Sequence, residues 1–278
     1  MTAERSPAKS LPLKNKLNAI FISSIVIAVL LAVITISGLL YPASFYPTLN
    51  LRLFSIPTDI ISLFVCLPIL VLSMLLAQRS NLVGLLCWPG TLLYITYIYI
   101  IYILSQPFNV LFIPYLLLFV VSVYTLVALI ASIDAVAVRQ QLKGSVPART
   151  AGIILTIMSA FFILVQVGEL VNALINGIPK ELSDLAPFVS DFITVAPAWL
   201  LGGIMLWRDK ALGYAAGTGL LLLGTILFGG LAFVIAFPAM HDQSPIDIAS
   251  VVMMLLMGAV CFIPLLLFIR NSSPAAAK

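Results

Sequence analysis

The chain has 278 residues, of which 62% are hydrophobic and only 9% charged, with a formal net charge of +4. Soluble domains carry charge on about a quarter of their residues, so this composition lies outside that class. Lipid accepts so much apolar surface directly, and the expectation is an all-α polytopic membrane protein with no nucleic-acid-binding character.

Eight apolar segments reach, or nearly reach, the roughly 20 helical residues that cross a hydrocarbon core of about 30 Å. They fall at 17–41, 57–78, 82–104, 109–133, 149–175, 188–207, 211–238 and 246–269. The first follows a basic tail, 1–16. Its apolar stretch of about 25 residues exceeds the 7–15 of a signal-peptide core, so it is expected to be a retained span. "QRSN" joins the second span to the third, and "SQPFN" joins the third to the fourth. Residues 17–270 form one transmembrane domain, followed by a short polar tail, 271–278.

With an even number of spans, both termini lie on one side. On that side fall Arg5, Lys9, Lys14, Lys16, Arg79, Arg139, Lys143, Arg149, Arg208, Lys210, Arg270 and Lys278. Only Arg52 and Lys180 fall on the other. Positive charge concentrates on the cytoplasmic side of membrane proteins, which predicts an N-in, C-in topology in the plasma membrane.

Short landmarks recur between the halves. Pro68, Arg79 and Gly84 follow one another at intervals of eleven and five residues, and Pro197, Arg208 and Gly213 repeat them. The pattern is that of a parallel four-plus-four repeat, with halves 17–139 and 148–270, related by an axis along the membrane normal. It would make Asp59 and Asp191 symmetry mates, although the offset from aspartate to proline differs by three residues.

Cys66, Cys87 and Cys261 each sit inside an apolar run, with neither disulfide nor zinc spacing, and read as buried small hydrophobes. The single histidine, His241, argues against a His-ligated metal or haem. The chain contains no P-loop, metalloprotease helix, Cys-pair redox motif or nucleophile elbow. No cofactor is expected.

The acids sort as sharply as the bases: Asp59, Glu169, Glu181, Asp184, Asp191, Asp242 and Asp247 fall toward the outer face. "SIPTD" and "QSPID" place proline at an expected first helical position with Asp59 and Asp247 two residues on, where a carboxylate meets free N–H groups. Ser244 with Asp247 resembles a capping box, and Asp191 after Ser190 could cap the sixth helix.

Glu169 does not fit a capping role, because it sits toward the C-terminal end of its helix, where the dipole disfavours negative charge. Gln166, Glu169, Asn172 and Asn176 share an arc of roughly 120° on a helix, with Ser159 deeper on the same side. A polar face in a span is expected to turn toward other helices or a watered cavity. The tyrosines of "TLLYITYIYIIYIL" read as boundary anchors, with Tyr94 and Tyr97, set deeper, as contributors to a site.

The functional expectation is a small transporter or channel-like protein with an outward-facing acidic site centred on Glu169. Gln166 and Asn172 would assist it, and Asp59 and Asp191 would contribute from the second and sixth spans. Its ligand would be a small cation, a proton or a small-molecule substrate. Two alternatives stand: a non-catalytic subunit anchoring a membrane protein partner, or an enzyme using outer-face carboxylates on a lipid.

Overall fold

The computed structural model describes residues 11–241 and 245–272. Arg5, Lys9, Lys278 and Asp242, used in the charge count, and Ser244, assigned to a cap, lie outside the described residues. Among the described residues every regular element is helical, apart from one isolated antiparallel bridge between Leu13 and Ile133.

Eight helices are long and apolar enough to span a membrane: Asn18–Leu40, Leu49–Gln78, Leu82–Ser105, Phe112–Ser132, Ala148–Ile175, Leu182–Trp207, Ala211–Met240 and Ile248–Ser272. They correspond one to one with the expected segments, and they give the chain the architecture of an integral multi-pass membrane protein. Large apolar side chains point outward all along them, including Ile22, Val29, Phe64, Leu164, Ile193 and Leu256. Such a surface would be intolerable in water and is ordinary against acyl chains.

The second and sixth helices begin earlier than the sequence predicts, and for the same reason. Pro57 and Pro187 look like first-turn prolines but lie inside their helices. Thr48 caps the second helix through a 3.3 Å bond from the Leu51 N–H. Glu181 and Asp184 form a reciprocal capping box on the sixth. The expected capping roles of Asp59 and Asp191 are therefore corrected: each sits well inside its helix, and each is buried. Asp247 does cap the eighth helix, but from the residue before its start at Ile248 rather than from inside a first turn opened by Pro245; it accepts 3.1 Å from the Ser250 N–H and 2.5 Å from the Ser250 hydroxyl.

Both of these helices contain a π-turn, Ser62–Cys66 in the second and Asp191–Val195 in the sixth. Its closing bonds run from the Leu67 N–H to the Ser62 carbonyl and from the Ala196 N–H to the Asp191 carbonyl. Pro68 and Pro197 follow directly. A proline inside a helix removes one donor and crowds the carbonyl of the preceding turn, and a widened turn relieves that crowding. Each helix ends before a residue in left-handed conformation, Ser80 (φ 57°) and Asp209 (φ 56°).

The third and seventh helices form the centre. The third is buried along nearly its whole length and packs on the second, fourth, sixth and seventh. Its closest approach to the seventh is at Gly90 and Gly219, where a Cβ on Gly90 would lie 2.8 Å from the Gly219 Cα. Only glycine permits backbones to meet that closely, which is how small residues set helix packing in membranes.

One end of the bundle gathers both described ends of the chain. There the Lys14 N–H donates to the Ser132 carbonyl (2.8 Å), the Asp134 N–H donates to the Pro12 carbonyl (2.9 Å), and the Asn271 amide donates to the Ser145 carbonyl. A short helix, Ala135–Leu142, capped by Asp134, lies at this end against the seventh span. Its Arg139 makes a forked contact to Asp209 at 2.6 and 3.2 Å, and Lys143 reaches the same carboxylate at 2.6 Å. These two cations hold the Asp209 carboxyl below the usual carboxylate range.

Candidate functional site

Two carboxylates, Asp59 and Asp191, are buried at 1% and 3% exposure. No basic side chain pairs with either, since the ion pairs among the described residues are those of Asp209. Burying an unpaired charge costs several kcal/mol, so each carboxyl needs donors, a proton or a cation. The two meet that need differently.

Asp59 is held by phenols. Tyr46, from the link between the first two spans, donates to Oδ2 at 2.6 Å, and Tyr102, from the third span, donates to Oδ1 at 2.9 Å. Tyr99, Tyr102 and Tyr115 pack around it with ring centroids 5.4–5.8 Å apart. Gly38 leaves room for the pair, because a Cβ there would collide with the Tyr46 hydroxyl and the Asp59 carboxylate. Gln106 closes the outer side by donating to the Ser55 hydroxyl at 2.8 Å. The boundary-anchor role expected for these tyrosines is corrected: Tyr94, Tyr97, Tyr99, Tyr102 and Tyr115 are all buried among helices.

Asp191 is only half satisfied. Its Oδ2 accepts from the Gln166 amide, and its Oδ1 is buried without a hydrogen-bond partner. The Tyr97 phenol lies beside the carboxylate, near enough to act on it as a donor but outside the geometry of a formed hydrogen bond. The Ser190 hydroxyl donates to the Tyr97 carbonyl at 2.8 Å and ties the sixth span to the third beside it. Ser159, a deeper polar residue of the fifth span, donates to the Ala196 carbonyl at 2.8 Å. The π-turn starts at Asp191 itself, which aims the carboxyl inward from a helix whose next residues, Phe192 and Ile193, face out.

Asp191 lines a cavity of about 210 Å³ with Gln166, Tyr94, Tyr97, Phe162 and Phe228. Phe54, Ile101 and Pro187 also line it, and the same three residues floor a wider cleft of about 850 Å³. That cleft holds Thr48, Asn50, Gln106, Glu181 and Asp184 and no basic side chain. On its other flank the cavity shares Ile61 and Gly230 with an apolar groove of about 630 Å³ between the second, seventh and eighth spans.

Searched against protein-family models, curated proteins and solved structures, the chain matches none. The geometry therefore carries the functional reading alone. Of the residues singled out in the sequence, the structure brings together Asp191, Gln166, Tyr94 and Tyr97. Asp59 stands apart in its phenol cage. Glu169 and Asn172 are exposed, and Asn172 accepts from the Asn176 amide at 2.7 Å on the helix surface. Among the described residues, no trio of His, Cys, Asp or Glu could hold a metal ion.

Sequence reasoning missed Tyr46, Phe162 and the Glu181–Asp184 rim. A signal existed for the rim: "ELSD" sets two acids just ahead of an apolar run, where carboxylates gather in a first helical turn. Tyr46 offered none, because its partnership with Asp59 depends on how the link folds back.

Proposed function

We propose that the protein is a small secondary transporter in which Asp191 is the cation- or proton-accepting group. One observation carries this: a buried carboxylate with one oxygen outside any formed hydrogen bond sits in the wall of a cavity that adjoins an acidic cleft. A carboxyl so placed needs a proton, donors or a cation, and the cleft is the polar approach beside it, whereas the groove on the other flank is apolar. The rim acids Glu181 and Asp184 would raise the local concentration of cations there. Glu169, the expected centre, is less well suited, since it lies exposed on the helix surface and does not line the cavity.

The rest of the arrangement agrees with a transport role. The excess of basic residues at the end that gathers Pro12, Lys14 and Asn271 supports cytoplasmic termini in a plasma membrane, so the cleft would open outward. The π-turns, the left-handed Ser80 and Asp209 and the Gly90–Gly219 contact recur at matching places, which supports two parallel four-helix repeats related through the third and seventh spans. By this register Asp191 is the mate of Ser62, and Asp59 lies one turn away.

The test is charge movement in proteoliposomes after a jump in proton or monovalent cation concentration. Wild-type protein should give a transient that Asp191→Asn abolishes and Glu169→Gln leaves intact. A signal equal to that of empty liposomes, or one unchanged by Asp191→Asn, would sink the proposal.

A further inference from the structure

The cavity at Asp191 also says what kind of cation it suits. Its walls are rings and aliphatic chains: Tyr94 and Tyr97 from the third span, Phe162 from the fifth, Phe228 from the seventh and Phe54 from the second. The polar groups on the lining are few, chiefly the Asp191 carboxylate, the Gln166 amide already engaged with it, the two phenols and the Thr58 hydroxyl. Thr58 spends its proton on the Phe54 carbonyl at 2.7 Å.

Three ligand classes can be weighed against this lining. An anion would meet a carboxylate and no cationic side chain. A divalent metal ion needs six or more oxygen ligands, or at least three strong donors, and would have to shed tightly held water for a mostly aromatic wall. A hydrated alkali ion faces the same mismatch. An organic ammonium ion differs: its alkyl groups are shed from water readily, and its diffuse charge is attracted both to the carboxylate and to ring faces. The volume of about 210 Å³ lies below the 300–1,000 Å³ of drug-sized sites, so the ligand must be small.

We propose that this cavity binds a small organic ammonium ion, with its charge toward the Asp191 carboxylate and its alkyl groups against Tyr94, Tyr97 and Phe162. The inference rests on the transport reading for its purpose, but it is a statement about binding and can fail separately. The cleft rimmed by Glu181 and Asp184 is the approach for such a cation. Gln166 acts as a positioning residue: its amide holds Oδ2 and fixes the orientation of the carboxylate in the cavity wall.

The experiment uses the purified full chain in nanodiscs, titrated with tetramethylammonium and with choline and followed by calorimetry, with sodium chloride as the control. Saturable binding of at least one ammonium ion, absent with sodium, is expected. Asp191→Asn should weaken it about tenfold or more, and Tyr97→Leu about fivefold or more, whereas Tyr97→Phe, which keeps the ring, should stay within about threefold. Each variant is first matched to wild type by size-exclusion profile and melting temperature. Phe162→Leu, remote from the carboxylate's hydrogen bonds, provides a second ring deletion if Tyr97→Leu unfolds.

Absence of saturable ammonium binding, equal binding of sodium, or full affinity in Asp191→Asn would overturn the inference. If charge movement in liposomes still depends on Asp191 while no ammonium binds, the transport reading survives and this inference fails. If ammonium binds through Asp191 but no charge moves, the cavity is a binding site and the transport reading fails.

Discussion

Tyr46 and Asp59 are thirteen residues apart, yet the phenol reaches over the end of the first span to donate a 2.6 Å bond to a carboxylate inside the second. The contact fastens the 41–48 link onto the bundle. Arg52 reinforces it from outside, donating to the Tyr46 carbonyl at 2.8 Å and to the Pro47 carbonyl at 3.1 Å. Tyr46→Phe keeps the ring but leaves the Asp59 Oδ2 without its donor, and should destabilise the protein by about 1.5–3 kcal/mol. A melting curve in detergent measures this, and a shift indistinguishable from zero would show that the bond adds nothing net.

At the Gly90–Gly219 contact no side chain can be accommodated. Gly90→Val should cost at least the roughly 1–3 kcal/mol of an overpacked core, and more where two central helices must separate. Gly229 is the control on the same pair of helices, since a Cβ there meets nothing within 4 Å. Gly229→Ala should leave the melting temperature unchanged within error. If both substitutions behave alike, the close approach of the third and seventh spans is not what sets their packing.

Asp209 gives a dependence on pH. The Arg139 and Lys143 contacts lower its folded-state pKa below the ordinary carboxylate value of 3.8. A carboxylate with a depressed folded pKa stabilises the fold above the unfolded value and loses that contribution as pH falls through the folded one. The stability gap between wild type and Asp209→Asn should therefore be constant from neutral pH down to about 5 and close in more acid solution. Added salt should narrow it at neutral pH, because the groups are solvent-exposed and screened. Asparagine is the right replacement, since it tolerates the left-handed φ of 56° at this position.

Ser80 occupies the corresponding left-handed turn without a charge network. Ser80→Gly removes a conformational cost of roughly 1 kcal/mol and restores part of it as unfolded-chain entropy, so the net change should be small and stabilising. A loss of stability beyond about 0.5 kcal/mol would mean the serine side chain makes a contribution that its geometry does not reveal.

The number and approximate placement of the spans were legible because apolar length is a property of local composition. The starts of the second and sixth went furthest astray, because Pro57 and Pro187, which look like first-turn residues, lie inside their helices. The site was legible in part. A polar stripe on the fifth helix pointed to Gln166, but the depth of that stripe, and its partner on the sixth helix, decide which member faces inward. Glu169 lies three residues nearer the end of the helix and emerges onto its surface. Asp191 looked like a cap because a serine precedes it, while its burial follows from where the sixth helix begins, nine residues earlier. The tyrosines of the third span resembled a boundary belt, and only the position of that span at the centre of the bundle turns them into lining.

The paired π-turns have a consequence for what each half of these two helices can present. One added residue rotates everything after it by about 100° relative to an uninterrupted helix. The segments before and after the turn in the second and sixth spans are thus set to different compass bearings, so a side chain aimed at the bundle axis on one side of the turn has no counterpart in line with it on the other. A single-residue deletion within 62–66 or 191–195 would restore a continuous stripe and swing one segment off its neighbours. Chain length in these few positions is constrained as tightly as the identity of the residues.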